Sequence, residues 1–123
     1  MKVLSIEQMT KLKELGVDVE PNGLDFMYSE VVPVECRLMY AESVCEDDMK
    51  AFTLYDVINL LPKTINECIL NIDFDYYCFD YYYYAYDGKT SWHSVCFGSM
   101  DNILDGAYEM LIWVIENGHL KTK

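Results

Sequence analysis

Basic residues are scarce in this chain. Nine lysines and arginines stand against 21 acids, a formal net charge of −12. So acidic a surface repels phosphate backbones and attracts basic ones. That argues against direct nucleic-acid binding and favours a protein partner. Histidine is scarcer, with two in 123 residues. Apolar runs are short: no window approaches the roughly 20 residues a membrane helix needs, so no membrane association is expected. The opening "MKVLSIEQMTKLKELG" lacks a signal-like apolar stretch, because Glu7 and Gln8 interrupt it. The expectation is a cytosolic chain.

Motifs that carry chemistry are also missing. There is no Gly-rich phosphate loop, no G-x-S-x-G and no H-E-x-x-H. Cys36, Cys45, Cys68, Cys78 and Cys96 are odd in number, and no pair has C-x-x-C spacing. They are expected to be free thiols in a reducing compartment. His93 and Cys96 lie three apart, which on a regular strand puts them on opposite faces and rules out an activated thiol. The run Glu46, Asp47, Asp48 lacks the EF-hand spacing and glycine that would mark a calcium loop. No cofactor, metal or catalytic residue is assigned.

What is present is enough for one α+β domain spanning residues 1–123. Ser5 and Gln8 form a capping box ahead of Ile6, Met9, Leu12 and Leu15, and Gly16 stops that helix. Residues 17–52 are harder to read. A strand around Phe26–Val34 is a candidate, confined to a sheet edge by Pro33, and "AESVCEDDMKAF" suits a solvated loop or a short helical turn. Thr53 caps a second helix with Leu54, Val57, Ile58 and Leu61 on its apolar side, and Pro62 ends it. Ser99 or Asp101 caps the third. There Ile103, Leu104, Ala107, Met110, Leu111, Val114 and Ile115 form a stripe before Gly118.

Between the last two helices runs "DYYCFDYYYYAYDGKTSWHSVC". It predicts strands near 77–86 and 91–97 joined at Asp87–Gly88, preceded by a strand at 68–74. Turning the first hairpin at Asp75–Tyr76 places Leu70, Ile72 and Phe74 with Phe79, Tyr81, Tyr83, Thr90, Trp92, Ser94 and Cys96 on an uncharged core face. The other face receives Asp73, Cys78, Asp80, Tyr82, Tyr84, Tyr86, Lys89, His93 and Val95, a mixture suited to a half-solvated surface. The fold expected is a three-stranded antiparallel meander packed against the C-terminal helix and two shorter ones, with residues 25–34 as candidate fourth edge strand.

The outward stripe of Tyr82, Tyr84, Tyr86 and His93 could stack bases, as aromatic sheets do. Asp73 and Asp80 beside it disfavour phosphate. Tyrosine also suits protein interfaces, being large and rigid with a hydroxyl at its end. The stripe, with Glu46, Asp47 and Asp48, is therefore the candidate surface for a protein partner or for self-association. The alternative is an enzyme, a hydrolase or transferase, whose site is assembled from separate loops.

Two segments carry a likeness. "AFTLYDVINLLPKTI" at 51–65 holds Phe52, Thr53, Leu54, Asp56, Leu60, Leu61 and Pro62. "MDNILDGAYEMLIWVIENGHL" at 100–120 holds Ala107, Tyr108, Met110, Leu111, Trp113, Ile115, Glu116, Asn117 and Gly118. In these the chain resembles a group of small uncharacterised proteins carried by phages and mobile elements of anaerobic gut bacteria. There a "FTLxDhhxLLP" segment (h apolar) precedes a short aromatic meander, and an "AhYxMLxWxIENG" helix follows. The resemblance implies an α+β fold and a phage or bacterial setting, and brings no functional residue with it. An inhibitor or decoy of a basic partner is the function these features suggest.

Overall fold

A computed structural model of the protein describes residues 2–20, 26–29, 37–40, 49–96 and 103–120. The fold is α+β. Its helices are α1 (Ile6–Glu14), α2 (Leu54–Leu60) and α3 (Ile103–Glu116). Its strands are β1 (Phe26–Ser29), β2 (Arg37–Tyr40), β3 (Met49–Lys50), β4 (Thr64–Ile65), β5 (Cys68–Asp73), β6 (Cys78–Ala85) and β7 (Gly88–Cys96). No described helix is long and apolar enough to cross a membrane. The chain divides into two compact units, Met1–Thr53 with Thr122–Lys123, and Leu54–Lys121.

In the first unit α1 begins at the expected capping box. Ser5 Oγ accepts from the Gln8 amide and Gln8 Oε1 accepts from the Ser5 amide. Met9 and Leu12 are fully buried, while Ile6 is exposed. Gly16, at φ +91°, turns the chain out of the helix. Its amide donates to the Lys13 carbonyl and the Val17 amide to that of Leu12, the paired reverse bonds that satisfy a helix's last carbonyls. The sheet of this unit has the antiparallel order β2-β1-β3. Phe26–Ser29 is therefore a central strand with partners on both sides, not the edge strand expected of residues 25–34. Pro33 itself lies outside the described residues.

The second unit holds an antiparallel four-stranded meander, β4-β5-β6-β7, and the helices α2 and α3. The fourth strand comes from Thr64–Ile65. It pairs with β5 through a two-residue turn in which Asn66 (φ +47°) and Glu67 (φ +70°) are both left-handed, as a tight hairpin turn requires. The next hairpin has the expected register, with Leu70 opposite Tyr81 and Ile72 opposite Phe79. Asp73 Oδ1 accepts from the amides of Asp75 and Tyr76, and Tyr77 at φ +56° returns the chain. Phe74, expected in the core, is carried into this turn and is exposed. Phe79 and Tyr81 are fully buried, as are Ala107, Met110, Leu111 and Val114 on α3. At about 1.5–3 kcal/mol for each large side chain, this layer is the principal stabilising feature of the unit.

The last hairpin departs from expectation twice. Its loop is Tyr86–Asp87, closed by Ala85 opposite Gly88. Neither loop residue has a positive φ. Gly88 alone does, at +125°, so glycine follows the turn rather than forming half of it. Further on, Tyr82 faces Ser91 but Tyr81 faces His93, which leaves Trp92 as an extra residue in a β-bulge. Beyond the bulge the alternation of β7 is reversed. His93 and Val95 join Tyr81 and Phe79 on the inner side, and Ser94 and Cys96 join Asp80 and Cys78 on the outer one. Cys96 thereby lies directly across from Cys78, with a Cα–Cα distance of 4.1 Å, and the two form a disulfide. This corrects the free-thiol expectation for that pair. Among the described residues Cys68 is a free thiol, and it is buried.

Candidate functional site

The outer face of β6 and β7 presents the tyrosine stripe. Tyr84 is 72 % exposed and Tyr86 fully so. Tyr82 is partly covered by its neighbours. The Tyr84 ring meets it edge-on at 5.5 Å and the Lys89 ammonium lies 4.2 Å from its centroid. The hydrogen bond between the two phenols, more than burial or the nearby Tyr84 and Asp80 charges, holds the Tyr82 pKa above its ordinary value. Ser91 Oγ donates to Asp80 Oδ1 across the strands. These contacts fix the near end of the stripe, while Tyr86 projects from the turn.

His93 does not belong to this face, contrary to the alternation read from sequence. The bulge rotates it inward, where its ring stacks on Trp113 of α3 at 3.9 Å and 5°. Burial lowers its pKa, opposed by the charge of Asp80. Glu46, Asp47 and Asp48 lie outside the described residues.

Trp92 and His93 both reach Trp113, because the bulge aims consecutive side chains at the same helix. Trp92 meets Trp113 edge-on at 5.3 Å. His119 is added by the end of α3. Gly118, at φ +74°, reverses the chain, and the His119 amide donates to the Val114 carbonyl. This folds the imidazole back to 5.5 Å from both Trp92 and Trp113. Both histidines of the chain thus gather around one indole. Tyr81 lies beneath, 6.3 Å from Trp113, and donates its hydroxyl to the Pro62 carbonyl at 2.7 Å. Burial pushes its phenol far above the ordinary tyrosine range. Alternation placed Trp92 on the core face, and Trp113 stood outside the apolar stripe assigned to the third helix. Nothing in the sequence marked the bulge that makes them neighbours of both histidines.

Past this corner the inner face opens into a shallow depression of about 520 Å3, lined by Asn66, Glu67, Cys68, Tyr83, Tyr84 and Trp92. Tyr83 and Trp92, both assigned to the core from sequence, are instead 41 % and 39 % exposed. Among the described residues no group of three or more His, Cys, Asp or Glu side chains is arranged to hold a metal ion.

Comparison with models of protein families, with curated proteins and with solved structures finds no match. The fold and its exposed residues define the class on their own terms: a small α+β protein with a tyrosine-faced antiparallel sheet.

Proposed function

We propose that this is an acidic binding protein without catalysis, which docks a protein partner or a second copy of itself through Tyr82, Tyr84 and Tyr86. The observation that carries this reading is the exposure of Tyr84 on a strand whose Phe79 and Tyr81 are buried on the opposite face, with Tyr86 exposed in the adjoining turn. Isolated apolar residues at a surface need no explanation. Two tyrosines on alternate positions of β6 and a third in the turn that follows line up along the chain, and Tyr82 and Tyr84 are already ordered by each other. Little rotamer freedom is then left to lose on binding. The net charge of −12 supports a basic partner. An inhibitor or decoy acting on a basic, nucleic-acid-binding protein, in a phage or mobile-element setting, is the specific form of the proposal. The acidic run at Glu46, Asp47 and Asp48 would contribute long-range attraction.

The test uses the intact chain and a variant with Tyr82, Tyr84 and Tyr86 all changed to serine. Sedimentation across a concentration series detects self-association. Retention of basic proteins at rising salt detects a charged partner. The expected result is association, or salt-sensitive retention, by the wild type and its loss in a variant whose far-UV spectrum is unchanged. Equal behaviour of the two chains in both assays would overturn the proposal.

A further inference from the structure

The depression beside the bulge has the chemistry of a cation site, and we infer that it accepts an arginine side chain of the protein partner. The inference rests on the binding reading above and names what the partner must present.

Three of the six lining residues are aromatic: Tyr83, Tyr84 and Trp92. Ring faces carry the negative end of the aromatic quadrupole and attract cations that lie over them. Of the three, Tyr83 and Trp92 turn their rings to the inner face, while the Tyr84 ring meets Tyr82 on the outer one. Trp92 is braced, leaning edge-on against Trp113 and also meeting His119. It is held before any ligand arrives, which lowers the ordering cost of binding. The outer face of the same hairpin already shows the interaction, since the Lys89 ammonium sits 4.2 Å from the Tyr82 ring centroid there.

The rim supplies an anion. Glu67 lines the depression from the left-handed position of its turn, φ +70°. A residue with a Cβ is disfavoured there by roughly 1–2 kcal/mol, a cost glycine escapes. The turn thus keeps a residue with a carboxylate, at a left-handed backbone position, beside the Tyr83 and Trp92 rings, and residues held in such conformations cluster at binding sites. Asn66, the other turn residue, adds an amide oxygen. Arginine matches this set better than lysine. Its planar guanidinium stacks on tryptophan and tyrosine, and its fork of N–H donors can reach the Glu67 carboxylate and the Asn66 side-chain oxygen together. The net charge of −12 favours the approach of such a group.

The experiment follows the indole N–H signals of the intact chain by NMR during titration with short glycine-flanked peptides. One contains arginine, one citrulline (its uncharged isostere) and one lysine. A saturable shift of the Trp92 signal with the arginine peptide is expected, weaker with lysine and absent with citrulline. Glu67→Gln should weaken arginine binding about tenfold. Glu67→Gly should do the same while raising the melting temperature, because it relieves the turn. A residue placed only for folding would give no loss of binding with that gain. Tyr86→Ser, outside the depression, should leave the titration unchanged. The arginine site can therefore fail while the tyrosine stripe still binds, and the reverse. An equal shift with citrulline, tighter binding of lysine, or a still Trp92 signal at millimolar arginine peptide would each overturn the inference.

Discussion

Tyr81 and Tyr84 are three residues apart on one strand and meet opposite fates. Tyr81 is sealed between sheet and helix with its hydroxyl donated to Pro62, whereas Tyr84 is 72 % exposed and touches mainly another tyrosine. The residue type is identical, so what differs is the face. Where α3 covers the sheet, an aromatic ring contributes to stability. Where it does not, the same ring is a surface awaiting a contact. Intrinsic propensity cannot distinguish the two, since both suit a strand.

The largest test of that contrast removes a ring from each face. Phe79→Ala should lower the unfolding free energy by about 3–5 kcal/mol, read from denaturant midpoints. Tyr86→Ser should stay within about 0.5 kcal/mol of wild type. Similar losses from the two would mean the outer face is also packed. Next in size is the bond at the end of the hairpin. Cys78 and Cys96 are 18 residues apart in sequence, and closing a loop of that length is worth roughly 3 kcal/mol through the unfolded chain. Cys78→Ser with Cys96→Ser should lose up to that amount, and a reductant should then have no further effect.

A smaller change probes the aromatic corner alone. Gly118→Ala places a side chain at φ +74°, a strained conformation even though no atom lies within 4 Å of the added carbon. It should cost about 1 kcal/mol. It should also alter the near-UV tryptophan signal as His119 loses its place on Trp113. An unchanged spectrum would detach His119 from the corner. The smallest effect is pH dependence. The folded pKa of His93 lies below the ordinary 6.5 because burial disfavours its charged form. Between those two values the unfolded chain holds a proton that the folded one lacks, so stability falls as pH drops through 6.5 toward the lowered value. His93→Gln should flatten that slope relative to wild type, with Asp80 present in both.

Much of the frame was legible in the residues. The helices starting after Ser5 and ending at Gly16 and Gly118 follow from caps and stops that act locally. The β5–β6 register follows from matching apolar positions around Asp75–Tyr76. The outward placement of Tyr82 and Tyr84 follows from the same parity. What stayed hidden was whatever depends on a partner strand. A bulge has no residue signature at Trp92, yet it reverses every later position, and His93 changed faces with it. The Cys78–Cys96 bond was hidden for the same reason, since only the shifted register brings the two residues opposite each other. Phe26–Ser29 read as an edge because a nearby proline was counted as part of it.

The disulfide and the Tyr86–Asp87 turn sit at opposite ends of the β6–β7 hairpin, so the segment is a covalent macrocycle. Its two strands cannot slide along each other even when their hydrogen bonds open. A slip of one step would send each tyrosine to the wrong side, and the ring forbids that slip as long as the sulfurs remain joined. What the bond protects is therefore orientation: it keeps the aromatic strip facing one way through every fluctuation short of reduction.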